Sequence, residues 1–124
     1  MPEIDMTVTA DDGTSLAGTL TLPAGSGPYP AVLLLHGSGP LDRDGNTRKA
    51  AMNLGRPLAE ALAAAGIATL RYDRRGTGAT PGAWRAAGFV GNRQDAAAAL
   101  RALRAHPAVL EAARAVGLVG LVAA

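Results

Sequence analysis

The sequence predicts an α/β fold in which an antiparallel hairpin is followed by parallel strands that are joined by crossover helices. Three observations support this class. Two β-branched runs joined by a turn open the chain, a continuously apolar run at Ala31–Leu35 and a further strand at Ile67–Tyr72 follow, and segments with helical spacing of apolar residues lie after each of them. Because parallel neighbours need a crossover connection, this order predicts one sheet with helices packed on it.

The first two strands are predicted at Ile4–Thr9 and Leu16–Leu22, on either side of the Asp-Asp-Gly sequence at 11–13. An acidic residue followed by glycine is typical of a hairpin turn. The stretch Pro23–Pro30 is rich in proline, glycine and serine, which indicates a surface connection. Ala31–Leu35 is apolar at every position, as expected of a strand covered on both faces.

Two helices and a last strand complete the predicted order. The first helix is predicted to begin at Leu54 and to stop at Gly66. Its apolar stripe consists of Leu58, Ala61, Leu62 and Ala65. The second helix is predicted from about Arg93 to Ala105, before Pro107. Its apolar stripe consists of Ala96, Ala99, Leu100 and Leu103. A final strand is predicted at Ala115–Val119.

Two glycine-rich turns follow strands and are candidates for a functional site. The run AVLLLHGSG at 31–39 breaks from a strand into His36, Gly37, Ser38 and Gly39. Glycines permit a sharp bend, so backbone N–H groups can point into the space above the sheet edge and stabilise an oxyanion. The charged turn Asp73–Gly78 follows Ile67–Tyr72, and ligand crevices of open α/β sheets lie at such strand ends.

Composition excludes several classes of function. A chain of 124 residues with 48% hydrophobic side chains is predicted to form one domain, 1–124. The formal net charge is +2, the arginines are scattered and aromatics amount to 3%, which argues against nucleic-acid binding. Without cysteine there is no disulfide, thiolate metal site or cysteine nucleophile.

Cofactor and targeting motifs are also missing from the sequence. Asp42 and Pro81 stand where a dinucleotide fingerprint needs its third glycine, no glycine loop continues into Gly-Lys-Ser/Thr, and two distant histidines do not make a metal site. We therefore expect no cofactor. The acidic start MPEIDM is unlike a signal peptide, and no run reaches the ~20 apolar residues of a membrane span, so we expect a cytoplasmic chain without membrane contacts.

Three motifs together resemble a known family. They are the HGSG turn with its extension PLDRDG at 40–45, the segment LRYDRRGTG at 70–78, and VGLVG at 116–120. Their order and separation are similar to the third, fourth and fifth strands of the α/β-hydrolase fold, and within it to bacterial serine esterases and acyl-peptide-type hydrolases. The resemblance implies the amino-terminal half of such a sheet, and hence a single partial domain.

That resemblance implies a nucleophilic serine on a sharp turn after the fifth strand, with an acid and a histidine supplied later. The sequence departs from the pattern there, because Leu121–Ala124 stand where a His-Ser-x-Gly-Gly elbow is expected, and no GxSxG occurs. The only serines are Ser15, Ser26 and Ser38. We interpret LVAA as the start of a helix whose preceding elbow was deleted or replaced, and we expect the chain alone to be inactive.

The resemblance also assigns roles to individual residues. The backbone N–H groups of Ser38 and Gly39 become candidate oxyanion donors, and His36, Asp73 and Arg75 become candidate supports of the loops. Two alternatives stay open for Ser38: a nucleophile activated by the adjacent His36, or a residue in an ordinary tight turn.

Several other polar and aromatic residues have two readings each. Residues 42–44 could hold a polar group of a substrate, or form a solvated loop with an internal ion pair. Trp84 and Phe89 could cover the crevice or an apolar seam. His106, at a helix end, is predicted to interact favourably with the helix dipole.

Two classes of function follow. The first is the amino-terminal portion of a serine hydrolase acting on carboxylic esters or related acyl substrates, which needs a carboxyl-terminal half for activity. The second is a non-catalytic domain that assembles with another copy or a complementing chain through the exposed edge of its last strand.

Overall fold

The computed structural model describes residues 2–36, 39–47 and 49–109, and the backbone of 116–121. Five strands form one mixed sheet in the order β1-β2-β4-β3-β5. The strands are β1 Glu3–Thr9, β2 Ser15–Thr21, β3 Ala31–His36, β4 Ala68–Tyr72 and β5 Val116–Leu121. Two helices, α1 Gly55–Ala64 and α2 Trp84–Ala105, connect β3 to β4 and β4 to β5. The predicted α/β class is confirmed.

Strand pairing also follows the predicted scheme. β1 and β2 pair antiparallel, with Glu3 opposite Thr21 at one end and Thr9 opposite Ser15 at the other. On its other side, β2 pairs antiparallel with β4. β3 pairs parallel with β4 on one side and with β5 on the other. The carboxyl ends of β3, β4 and β5 therefore lie at one edge of the sheet, where the two glycine-rich turns begin.

The apolar core lies between the sheet and α2. Side chains of alternate residues in β2, β3 and β4 point to this face, because successive side chains of a strand point to opposite faces. The largest fully buried members are Val8, Leu16, Leu20, Leu33, Leu70 and Leu103. The face toward α1 is more polar and carries the buried Thr21, Thr69 and Arg71.

The buried face of α1 differs from the predicted stripe. Gly55, Ala59 and Ala63 are buried, whereas Ala61 and Ala65 are exposed and the two leucines of the stripe are only half-buried. Small residues four apart let this helix lie close to its neighbours. A Cβ on Gly55 would come within 2.3 Å of the Arg43 carbonyl oxygen. Close packing, rather than large apolar side chains, selects this face.

The second helix begins nine residues before the predicted Arg93. It starts at Trp84 and contains a kink at Gly88, whose φ of 63° and ψ of −176° are not helical. Its buried residues are Asp95, Ala98, Ala99 and Leu103. The predicted Ala96 and Leu100 are half-buried at the side of that face. The residues before the kink, 84–87, are exposed or half-buried. This turn therefore has no apolar periodicity by which it could have been predicted from the sequence.

The last strand is β5, and the predicted Ala115 lies outside the described residues. The sequence predicted that a helix starts at Leu121. This prediction is wrong for Leu121, which is the last residue of β5 and pairs with His36. Residues 122–124 also lie outside the described part. β5 occupies one edge of the sheet, next to β3.

Candidate functional site

The candidate site lies where β3 and β4 end. Of the predicted oxyanion donors, Ser38 lies outside the described residues and Gly39 lies within them. Gly39 adopts a φ of +114°, a conformation that side chains of L-residues rarely allow, although a Cβ there would meet no atom within 4 Å. The backbone conformation alone therefore accounts for glycine at this position.

Arg74, the second residue after β4, is bound to the main chain on both sides of the turn. Its Nη2 donates to the His36 carbonyl oxygen, and its Nη1 donates to the Gly39 carbonyl oxygen at 3.0 Å. Burial lowers the pKa of Arg74 below its ordinary value. The sequence motif did not predict these partners of Arg74. The one sequence signal for this role was the position of Arg74 two residues after a predicted parallel strand, where the loops of neighbouring strands lie close together.

His36 is buried at the end of β3 and braces the loop that follows. Its Nε2 lies 2.8 Å from the Arg43 carbonyl oxygen. That hydrogen bond joins the start of the turn to the extension at 40–45. The first N–H groups of α1 also belong to this arrangement, because Leu54 N and Gly55 N donate to the Asp44 carbonyl at 2.9 and 3.3 Å. The geometry is that of a loop support.

Asp73 is the main anchor of the same loop. Its carboxylate accepts hydrogen bonds from Arg43 N at 2.8 Å, from the Arg43 guanidinium at 2.8 and 3.1 Å, and from Ala79 N at 2.8 Å. Burial alone would raise the pKa of Asp73. The hydrogen bonds from Arg43 and Ala79 outweigh that effect, so the pKa lies below its ordinary value. Asp73 thus ties the loop after β3 to the loop after β4.

The predicted ion pair within residues 42–44 is wrong. Arg43 pairs with Asp73, because its guanidinium extends across to the loop of the neighbouring strand and also donates to Thr19 Oγ1 at 2.7 Å. Asp42 instead closes its own turn by accepting from Asp44 N and Asn46 N at 2.9 and 3.0 Å. Asp44 faces Arg71, with Nε and Oδ1 3.3 Å apart. The substrate-holding role of residues 42–44 stays a prediction.

Arg75 lies farther from the turn and joins three elements. Its guanidinium donates to Asp95 of α2 at 2.7 and 2.9 Å, to Asp12 at 2.9 Å and to Thr14 at 3.1 Å. The hydrogen bonds to the two aspartates raise the pKa of Arg75, and the bonds to Asp95 contribute more than those to Asp12. The hydrogen bond from Arg75 holds the pKa of Asp12 well below its usual range. Arg75 supports the loop after β4 from the side of the hairpin and α2.

A cavity of about 1020 Å³ opens beside the turn on the α2 face of the sheet. Its lining includes Leu33, Leu35, Tyr72, Trp84, Phe89 and Leu100, together with Gly39, His36 and Arg74. Burial raises the pKa of Tyr72 to about 12. Phe89 is 80% exposed, and the Arg85 guanidinium lies 5.9 Å from the centre of the Trp84 ring. Both aromatics therefore border the crevice.

Other predicted features are away from this site. His106 is the residue at which α2 ends, as predicted, but its ring Nδ1 accepts a hydrogen bond from Ala108 N at 3.1 Å. The ring therefore caps the turn after the helix, and its dipole role stays a prediction. Among the residues described, three or more metal-ligating side chains nowhere come together. Neither helix of the described part has the length and apolarity needed to cross a membrane.

Comparisons with known proteins identify the fold and the family. The sequence model of the X-Pro dipeptidyl-peptidase (S15) family matches residues 12–121 of this chain. Esterase EstD of Thermotoga maritima is 42% identical over 73 residues, which is 59% of this chain and 16% of EstD. The α/β hydrolase GrgF of Penicillium sp. sh18 superimposes with a TM-score of 0.71 at 27% identity, over 97% of this chain and 37% of GrgF.

An esterase of Pyrococcus furiosus has the same fold, with a TM-score of 0.69 at 24% identity, over 96% of this chain and 40% of that protein. The chain thus spans well under half the length of these three relatives.

Proposed function

Because the chain belongs to the X-Pro dipeptidyl-peptidase (S15) family of α/β hydrolases, we propose that it supplies the oxyanion-binding part of a serine hydrolase. Its substrates are carboxylic esters or related acyl compounds. The observation that carries this proposal is the turn after β3, whose carbonyl oxygens at His36 and Gly39 are both bound by Arg74 beside a cavity. The backbone N–H groups of Ser38 and Gly39 are the proposed donors.

The chemistry needs such donors at one step. When a nucleophile attacks an ester carbonyl, the carbonyl oxygen gains negative charge, and fixed N–H groups stabilise that charge more in the transition state than in the substrate. The loops here are suited to this role because Asp73, His36 and Arg74 tie them together through hydrogen bonds. A rigid donor needs little reorganisation during the reaction.

The nucleophile is proposed to come from outside this sequence. The 124 residues contain no GxSxG, and in this reading Ser38 serves through its backbone. We therefore expect that a fluorophosphonate probe does not label the isolated chain. Covalent labelling at Ser38, located by peptide mass mapping, would assign it the nucleophilic role and overturn this part of the proposal.

The substrate class is proposed from the cavity and the relatives. Apolar side chains of the sheet and of α2 line much of the cavity, which suits the hydrocarbon part of an acyl group. EstD and the Pyrococcus furiosus protein are both named esterases. Hydrolysis of short p-nitrophenyl esters by a chimera, in which this chain replaces the matching part of EstD, tests the proposal. A folded chimera with a reactive serine but no hydrolysis would contradict it.

A second candidate function is assembly without catalysis. It is favoured by the position of β5 at the edge of the sheet, where it pairs with β3 on one side. An edge strand can add a strand from another molecule. Native mass spectrometry of the chain, together with the activity of the EstD chimera, separates catalysis from assembly. Stable dimers of the chain and an inactive chimera would favour assembly. The cytoplasmic location stays a prediction from the sequence.

A further inference from the structure

We propose that the cavity beside the turn after β3 binds a short-chain carboxylate, with its charged group at Arg85 and Arg93 and its hydrocarbon chain toward Leu100. The free acid that ester hydrolysis releases has this chemistry. The inference deepens the proposed function and rests on it for the origin of the acid, whereas the binding itself is a property of the 124-residue chain.

The direction of α2 gives the cavity two different ends. Trp84, the first residue of α2, lies against the loop after β4, because a Cβ on Gly76 would come within 2.8 Å of Trp84 N. After the helix, the Ala108 carbonyl accepts a hydrogen bond from Tyr29 N at 2.7 Å, next to the start of β3. The first part of α2 therefore lines the end of the cavity near the turn at Gly39, and the last part lines the far end.

The end near the turn carries positive charge. Among the described residues, the cavity lining contains Arg74, Arg85 and Arg93 but no aspartate or glutamate. Because Arg74 binds the carbonyls of the turn, Arg85 and Arg93 are the two that we assign to a ligand. Positive charge without a carboxylate beside it favours an anion, and the planar guanidinium matches the two oxygens of a carboxylate.

Arg85 and Arg93 also differ from most other arginines in their partners. Within the described part of the chain, neither forms an ion pair, and Arg85 lies over the ring of Trp84 instead. The arginines that do form ion pairs are Arg43, Arg56, Arg71, Arg75 and Arg101. An incoming carboxylate therefore has no carboxylate of these described partners to displace.

The floor and the far end of the cavity are apolar. The sheet supplies Leu33 and Leu35, and the later part of α2 supplies Ala96, Ala97 and Leu100. Arg93 and Leu100 are seven positions apart on one helix, which is about 10 Å along its axis. That distance is close to the length of an extended eight-carbon chain, and burial there removes hydrocarbon from water.

A charged end and an apolar floor together predict a selectivity among molecules with the same tail. Octanoate gains from both parts of the cavity, octan-1-ol gains from the apolar part alone, and octylammonium meets like charge at the arginines. Since exposed ion pairs are individually weak, we expect the two arginines together to make octanoate bind about 10-fold more tightly than octan-1-ol. Octylammonium should bind most weakly.

The test titrates the ¹⁵N-labelled chain with the three compounds, below the concentration at which octanoate forms micelles, and follows the amide signals near Leu100. When Arg85→Gln and Arg93→Gln are combined, octanoate should lose its advantage while octan-1-ol binds as before. Arg104→Gln is the matched control, because Arg104 is an exposed arginine of the same helix outside the cavity lining. Equal affinities of octanoate and octan-1-ol for the unchanged chain would overturn the proposal.

A second pair of variants separates binding in the cavity from adsorption to the exposed apolar surface of α2. Ala97 is exposed and lines the cavity, so Ala97→Trp fills the space there. It should weaken octanoate and octan-1-ol about 10-fold, the equivalent of about two buried methylene groups. Val90 is 56% exposed and lies outside the lining, so Val90→Ser should change neither affinity. Equal weakening by both variants would assign the binding to the surface and overturn the cavity site.

Failure of the proposed function gives a different result. In the EstD chimera, octanoate should inhibit ester hydrolysis, and the combined arginine variant should raise its inhibition constant about 10-fold. Preferred binding of octanoate to the chain together with an inactive chimera would support the acid site and refute the proposed function. An active chimera together with equal binding of octanoate and octan-1-ol would support the proposed function and refute the acid site.

Discussion

At the scale of single residues, the site depends on charged side chains that cross between loops. Asp73 has a side chain only 4% exposed, and it meets Arg43, whose side chain is 20% exposed. Removing one partner of such a pair leaves the other charge without compensation in a largely water-excluded place. The sequence indicated that Asp73 supports a loop. It did not indicate that Arg43 is the partner of Asp73, because the two residues are 30 positions apart, and the ion pair of Arg43 was instead predicted within residues 42–44.

Asp73→Asn should lower the free energy of unfolding by about 3 kcal/mol, because Arg43 loses its ion pair and the new amide cannot accept all of the present donors. Urea denaturation followed by circular dichroism measures the change. Asp11→Asn is the control, since Asp11 and Arg101 form an ion pair with both side chains at least 60% exposed. The control should lose less than about 1 kcal/mol. Equal losses in both variants would contradict the buried anchor.

The lowered pKa of Asp73 predicts a pH dependence with a definite sign. Folding favours the ionised carboxylate, so its contribution to stability is complete above the unfolded pKa of about 4. That contribution is lost as the pH falls through the lower folded pKa. Unfolding free energies measured from pH 6 to pH 2 should therefore fall less steeply in Asp73→Asn than in the unchanged chain. Superimposable pH profiles would refute the assignment.

At the scale of elements, the two helices show where sequence patterns were sufficient and where they were not. The ends of both helices were predicted within about two residues, because the stop residues Gly66 and Pro107 are local properties, whereas the start of α2 was placed nine residues too late. Their buried faces were predicted less well. α1 packs through Gly55, Ala59 and Ala63, a choice made by the closeness of its neighbours rather than by hydrophobicity. Such closeness is a tertiary property that a single sequence does not display.

The kink of α2 provides a matched pair of glycines. Gly88 has a φ of 63°, and a Cβ there would touch nothing, so Gly88→Ala should cost about 1 kcal/mol or more through backbone strain alone. Gly91 lies in the regular helix, where a Cβ would make an ordinary 3.4 Å contact with Ala87. Gly91→Ala should stabilise the chain by up to about 1 kcal/mol. Thermal denaturation decides, and changes of the same sign in both variants would contradict the kink.

At the scale of the whole molecule, the sheet order creates the site. Placing β4 between β2 and β3 brings the turns after His36 and Tyr72 to one edge, although they are about one third of the chain apart in sequence. The alternation of strands and helices was enough to predict this convergence. It was not enough to predict which arginine binds which loop, since that depends on side-chain paths across the sheet edge.

The central claim is that the turn at Gly39 stabilises an oxyanion, and one kcat measurement in the EstD chimera tests it most directly. Gly39→Ala is compared with Gly25→Ala, because both glycines have positive φ and open space for a Cβ, so their strain is matched. We predict that Gly39→Ala lowers kcat about 100-fold, because a Cβ at this φ forces the backbone to shift and moves the Gly39 N–H away from the oxyanion, an effect comparable to the loss of a donor. Gly25→Ala should leave kcat unchanged. Equal kcat values in the two folded variants would contradict the account.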